Sequence, residues 1–153
     1  MTRRVVVLGS TGSIGTRALE VISALGYEVA AIAAGRPSPA LLDQAQRHPD
    51  AVVVAAGGTR EERSDFERSL GREVGFGNES VVDAAEMGDV IVINGIVGAI
   101  GLKATLAALE SDNRVALANK ESLVAGGPVV SRLLAAGKGE LIPVDSEHSA
   151  LYQ

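Results

Sequence analysis

Six short apolar runs recur along this chain: Arg4 to Leu8, Val29 to Ala33, Ala51 to Ala55, Val90 to Ile93, Arg114 to Ala118 and Glu140 to Val144. They are rich in β-branched residues, and most are apolar throughout rather than alternating. A strand with one wet face alternates, whereas a strand covered on both faces does not. The runs therefore predict strands of a parallel sheet buried under helices. Segments of helical period lie between them. Ile14, Ala18, Val21, Ile22 and Leu25 make one apolar stripe, stopped by Gly26. Leu102, Leu106 and Leu109 make a second, and Val129, Leu133 and Leu134 a third, closed by Gly137. The charged "TREERSDFERSLGR" reads as a solvated surface helix with Phe66 and Leu70 four apart, and its charges need no functional role. "EVGFG" reads as one more short strand, "NESVVDAAEMG" as a short helix, and the proline-punctuated "AAGRPSPA" as a loop. Strand and helix in alternation predict an α/β fold with an open, doubly wound, mostly parallel sheet and right-handed crossovers.

Composition narrows the chemistry. The 153 residues are 46% apolar and 22% charged, a balance that buries a core and argues against disorder. Aromatics are 3% and the net charge is −5, so the chain lacks the basic surface and stacking platforms of a nucleic-acid binder. There is no cysteine, which excludes disulfides, thiolate metal sites and cysteine nucleophiles and fits a reducing cytoplasm. The N-terminal apolar run is far shorter than the ~20 residues of a membrane span, so no membrane association is expected.

The strongest local signal is "VVVLGSTGSIG", with Gly9, Gly12 and Gly15 three apart between the first strand and the first helix. Glycine permits a tight turn and a close backbone approach to phosphate. The helix N-terminus then supplies free N–H groups and a positive dipole end. The pattern is a variant of the dinucleotide-binding fingerprint of Rossmann-like folds. The other reading is a glycine turn that only packs helix on strand. An NAD site would place an acid at the end of the second strand, ~20 residues on. Here "AIAAGRPS" offers Arg36 after Gly35, and a guanidinium suits a 2′-phosphate, so NADPH is favoured over NADH. Arg36 as an ordinary loop cation is the alternative.

Two further strands run into polar groups at their carboxyl ends, where ligands bind in doubly wound sheets. In "VALANKES", Asn119 can contact a cofactor or cap a helix, and Lys120 can neutralise a substrate oxyanion. Blandly, Lys120 and Glu121 form a solvated pair. In "ELIPVDSEH", Asp145 and Glu147 point to one side of an extended segment and can converge on a hard cation, Mg²⁺ or Mn²⁺. The alternative there is a helix start, with Asp145 as cap and Glu147 in the first turn. His148 more naturally orients a neighbour than ligates.

Taken together, "LGSTGSIG", "IVGAIGL", "LANKESLV" and "PVDSEHSALYQ" resemble the 1-deoxy-D-xylulose 5-phosphate reductoisomerase family, in the family's order. The resemblance implies a homodimeric enzyme of isoprenoid biosynthesis, an NADPH- and divalent-metal-dependent oxidoreductase and isomerase. Its substrate would be a sugar phosphate, rearranged and reduced to 2-C-methyl-D-erythritol 4-phosphate. It implies that Thr11, Gly12, Ser13 and Ile14 hold the cofactor's phosphates, with Gly35 and Arg36 at its adenosine end and Asn119 and Glu121 also in contact. It assigns Lys120, Ser146 and Glu147 to substrate, Lys120 and Glu147 to catalysis, and Asp145 and Glu147 to Mg²⁺ or Mn²⁺. Pro37 departs from the family, whose members often carry an asparagine there. The resemblance covers only the family's N-terminal portion. Residues 1–153 are thus expected to form an NADPH-binding domain, with 143–153 leading into a catalytic domain absent from this chain. Such a piece would bind NADPH, turn over nothing alone, and expose an apolar surface where the other domain packs. Two alternatives stand beside it. One is another NADP-linked reductase, of the semialdehyde-dehydrogenase or dihydrodipicolinate-reductase type. The other is an NADP-sensing module without chemistry.

Overall fold

The computed structural model describes residues 2–144. Seven strands and six helices alternate: β1 (Arg4–Leu8), α1 (Ser13–Ala24), β2 (Glu28–Ala34), α2 (Pro39–Arg47), β3 (Val52–Ala55), α3 (Arg60–Leu70), β4 (Gly75–Phe76), α4 (Asn78–Ala85), β5 (Val90–Asn94), α5 (Gly98–Glu110), β6 (Arg114–Leu117), α6 (Lys120–Ala135) and β7 (Glu140–Pro143). All strand pairs are parallel, in the order β4-β3-β2-β1-β5-β6-β7. The expected doubly wound sheet is therefore present. The chain winds outward from β1 in both directions, so the topological switch lies between β1 and β5, where Leu8 pairs with Asn94 at the carboxyl edge.

Side-chain alternation along β1 separates two cores. Val6 and Leu8 pack with α4, α5 and α6 through Val81, Ala104, Leu109 and Val130. Val5 and Val7 pack on the other face with α1, α2 and α3 through Leu19, Ile22, Leu41 and Phe66. Each buried Val or Leu of this kind is worth about 1.5–3 kcal/mol. The second face is not fully roofed. Ile91, Ile93, Ala116 and Val144 line a groove of about 440 Å³ beside α1, with Ile14 and Val21 on its rim.

The α1 stripe is only partly covered: Ile22 faces the core with Gly15 and Leu19, and Ala18 is half-buried, whereas Ile14, Val21 and Leu25 are exposed. The proline stretch is also only partly loop, since α2 starts at Pro39 with Ser38 Oγ accepting from Leu41 N at 3.1 Å. Proline at a helix's first position loses no bond the helix would have made. The third predicted helix starts earlier than its apolar stripe, at Lys120, and runs through Gly126, Gly127 and Pro128. A Cβ on Gly126 would lie 2.3 Å from Leu102 Cδ1, so Gly126 lets α6 approach α5. No helix among the described residues is long and apolar enough to cross a membrane.

Candidate dinucleotide site

The turn after β1 is shaped chiefly by backbone bonds and glycines. Gly9 and Ser10 both donate N–H to Ala33 O of β2, at 2.8 and 2.9 Å. Gly9 sits at φ +81°, a region that side chains rarely adopt. A Cβ on Gly15 would fall 2.2 Å from Gly9 O and 2.6 Å from Ser10 Cα, so α1 can start this close to the turn only with glycine there. Gly12 differs: a Cβ there would meet only Gly9 O, at 3.4 Å. Space lies open above it.

Gly12 is the N-cap of α1 and makes no side-chain cap, and the first turn of α1 holds no acid. The first N–H groups of a helix have no partner within it. Those of Ser13, Ile14 and Gly15 are thus left for an anion, with the dipole in support. The N-terminus of α5 is alike, with Val97 as N-cap, no capping side chain and no acid in its first turn. By contrast, α2, α3 and α6 are capped by Ser38, Thr59 and Asn119. Two uncapped, acid-free helix starts therefore flank the switch point.

The turns after β1 and β5 touch. Gly95 N donates to Leu8 O at 2.9 Å, and a Cβ on Gly9 would lie 3.3 Å from the Gly95 carbonyl carbon. Asn119 joins this group, its Nδ2 donating to Ile96 O at 2.9 Å and to Ser122 Oγ at 3.1 Å. Its Oδ1 accepts from Glu121 N at 3.0 Å. Both Nδ2 hydrogens and one acceptor position of Oδ1 are thus committed inside the protein, and the residue is 4% exposed. The cap reading describes its side chain, and any ligand contact would fall to its backbone. Glu121 is exposed in the first turn of α6, and Lys120 is that helix's first residue. Thr11 is half-buried, and Gly12, Ser13 and Ile14 are exposed along the turn.

Gly35 and Arg36 are exposed beyond β2, one strand over. Arg36 is not an idle cation. Its Nη2 donates to both carboxylate oxygens of Glu62, at 2.8 and 3.0 Å. Glu62 also accepts from Thr59 N at 2.8 Å while Thr59 Oγ1 accepts from Glu62 N at 3.1 Å, a reciprocal cap on α3. The Thr59 N–H, and then the Arg36 guanidinium, hold the Glu62 carboxyl below its ordinary pKa. α3 is a solvated surface helix, as its charge density predicts, with only Phe66 buried, and Glu62 among its charges also caps the helix and pairs with Arg36. Pro37 packs on the neighbouring loop, where a Cβ on Gly58 would lie 2.8 Å from Pro37 Cδ.

Sequence reasoning passed over Gln44, Glu62, Asn94, Val97 and Thr105. Glu62 carried a signal, the T-x-x-E spacing of "TREE". Gln44 reaches from α2 to donate to Ser10 O at 2.8 Å, a contact that no local pattern announces. Asp145, Ser146, Glu147 and His148 lie outside the described residues.

Known proteins match this arrangement. The family profile described as 1-deoxy-D-xylulose 5-phosphate reductoisomerase matches residues 5–127. The chain belongs to that family. The 1-deoxy-D-xylulose 5-phosphate reductoisomerase of Mycolicibacterium smegmatis is 49% identical over 99% of this chain and 37% of that protein. The enzyme of that name from Corynebacterium diphtheriae is 45% identical over 100% of this chain and 40% of its own length. Among solved structures, the reductoisomerase from Zymomonas mobilis in complex with NADPH superposes with a TM-score of 0.89 at 40% identity, over 100% of this chain and 41% of that one. A DOX-P reductoisomerase in complex with magnesium gives 0.90 at 32% identity, over 100% and 40%. This chain spans about two fifths of the length of the relatives it matches.

Proposed function

We propose that this chain is the NADPH-binding domain of a 1-deoxy-D-xylulose 5-phosphate reductoisomerase. The observation that carries the reading is the uncapped, acid-free start of α1 on a glycine turn at the switch point. The diphosphate lies over Thr11, Gly12, Ser13 and Ile14. Gly35 and Arg36 receive the adenosine 2′-phosphate, with Arg36 trading its bond to Glu62 for one to phosphate. Asn119 shapes the site through Ile96, while its backbone and Glu121 line the nicotinamide side. The NADPH complex of a relative with the same fold supports NADPH as the cofactor.

Lys120, Ser146 and Glu147 face the sugar-phosphate substrate, Lys120 balancing its negative charge, and Asp145 and Glu147 supply carboxylates to Mg²⁺ or Mn²⁺. A divalent cation there would polarise the substrate's carbonyl and hydroxyl oxygens. NADPH would supply hydride to the carbonyl carbon. The magnesium and fosmidomycin complexes of relatives support the metal and the phosphorylated substrate class. The whole enzyme is a cytoplasmic homodimer by family resemblance. Residues 143–153 lead into its catalytic domain, which packs on the bare groove that Val144 helps to line, a placement suited to the apolar lining.

Titrating the purified chain with NADPH and NADH tests the cofactor half. Tighter NADPH binding is expected, and equal or absent binding of the two would sink it. Substrate, Mg²⁺ and NADPH should give no turnover with this chain alone. The sensing-module alternative predicts that the full-length protein and its Asp145→Ala variant bind Mn²⁺ alike.

A further inference from the structure

Asn94 closes the apolar run of β5 and is completely buried, as is Thr105 of α5. An amide buried this deeply must spend its bonds locally, since a buried polar group left unpaired keeps its full desolvation penalty. Asn94 does so. Its Nδ2 donates to Gly101 O at 2.8 Å and to Thr105 Oγ1 at 2.9 Å, and its Oδ1 accepts from Ile96 N at 3.0 Å. The peptide groups on either side of Ile96 are thereby pinned, the N–H by Asn94 and the carbonyl by Asn119. Gly101 leaves that carbonyl no slack, as a Cβ there would sit 2.1 Å from Ile96 O.

We infer that Asn94, braced by Thr105, is a positioning residue that holds the loop from Gly95 to Gly98 preformed against the nicotinamide half of the bound dinucleotide. This rests on the cofactor reading above. The direction follows from the sheet order. Arg36 follows β2, on one side of β1, while this loop follows β5, on the other. A dinucleotide laid across the switch point puts its adenosine end over the first and its nicotinamide half over the second. Val97, 71% exposed at the open start of α5, is the side chain the loop presents there. A loop already in its bound form spares the ligand the entropy of ordering it.

The test compares two ligands on wild type, Asn94→Ala, Thr105→Val and Thr105→Ser. Adenosine 2′,5′-bisphosphate reads the adenosine end alone, and NADPH reads both ends. Asn94→Ala and Thr105→Val should weaken NADPH about tenfold, the size of one buried hydrogen bond lost. Both should leave adenosine 2′,5′-bisphosphate within about twofold, and Thr105→Ser should restore NADPH affinity by returning the hydroxyl. A loss shared equally by both ligands would show a merely structural role and overturn the inference. Unchanged NADPH affinity in Thr105→Val would overturn it even if Asn94→Ala fails to fold. If wild type binds no NADPH, the cofactor reading falls and takes this with it. If wild type binds and the variants bind equally, this inference alone falls.

Discussion

The turn after β1 and the turn after β5 meet at the switch point, yet different chemistry holds each. The first is shaped by missing side chains: Gly9 adopts φ +81°, and Gly15 leaves no room for even a methyl group. The second is shaped by side chains that reach back, with Asn94 and Asn119 pinning Ile96. The first turn spends its own N–H groups on Ala33 O and Gly9 O but leads into an uncapped helix start whose first N–H groups have no partner within the helix. An amide-built turn uses its polar groups internally and offers the ligand a rigid wall. On the proposed reading, the first side holds the diphosphate and the second keeps a preformed loop beside it.

The contrast can be broken most sharply at Gly15. Gly15→Ala should cost at least about 3 kcal/mol, the top of the usual overpacking range, because backbone rather than a flexible side chain stands in the way. Urea unfolding should show a collapsed midpoint and NADPH titration no binding. Gly12→Ala separates the cradle from the scaffold. Its backbone, φ −75° and ψ 173°, suits any residue, and its Cβ meets nothing closer than 3.4 Å. Stability to urea should fall by less than about 1 kcal/mol, while NADPH affinity falls more than about tenfold because the methyl group takes the diphosphate's place.

On the amide-built side, Asn119→Ala removes the α6 cap and orphans the Ile96 carbonyl. A loss of about 1–3 kcal/mol in urea unfolding is expected, with weaker NADPH binding beside it. Arg36→Ala leaves both turns intact. It should bring NADPH affinity down to that for NADH, about a tenfold loss, with NADH affinity unchanged in the same calorimetric titration. An unchanged NADPH-to-NADH ratio would remove Arg36 from the site.

The smallest effects are set by pH. Glu62 has a lowered carboxyl pKa when folded, so its contribution is present above the ordinary value of 4.5 and is lost as pH falls through the folded one. Amide exchange in the first turn of α3 should accelerate over that range, and less so in Glu62→Gln, which does not titrate. His48 is also lowered, by burial first and by Arg47 second. The unfolded chain therefore takes up the proton first, and stability falls as pH drops from 6.5 toward the folded value. Replacing His48 by Gln should flatten that part of the stability profile.

Much of this was legible locally. Five of the six apolar runs differ from the observed strands by no more than a residue at either end, and the Arg4 to Leu8 run coincides with its strand. Runs dry on both sides are hard to read any other way. The glycine spacing pointed to the turn, and Asn119 was legible as a cap because caps are local. The gaps fall where a distant partner decides. Periodicity puts Ile14, Val21 and Leu25 on one apolar stripe with Ile22 but does not say which of them are covered, and among the described residues these three are exposed while Ile22 is buried. Arg36 and Glu62 stand 26 residues apart, so no window over the sequence pairs them. Asn94 looks like the end of a strand until Gly101 and Thr105 are brought against it.

The sequence by itself determined the parallel α/β fold, the turn that can cradle a diphosphate and the family, because periodicity, glycine spacing and motif order are properties of neighbours along the chain. Only the tertiary structure decided which helix starts stay uncapped, which amides are consumed inside, and which cation already has a partner. Those outcomes depend on hydrogen bonds between segments far apart in sequence, and a bond has no energy until the fold brings donor and acceptor within about 3 Å.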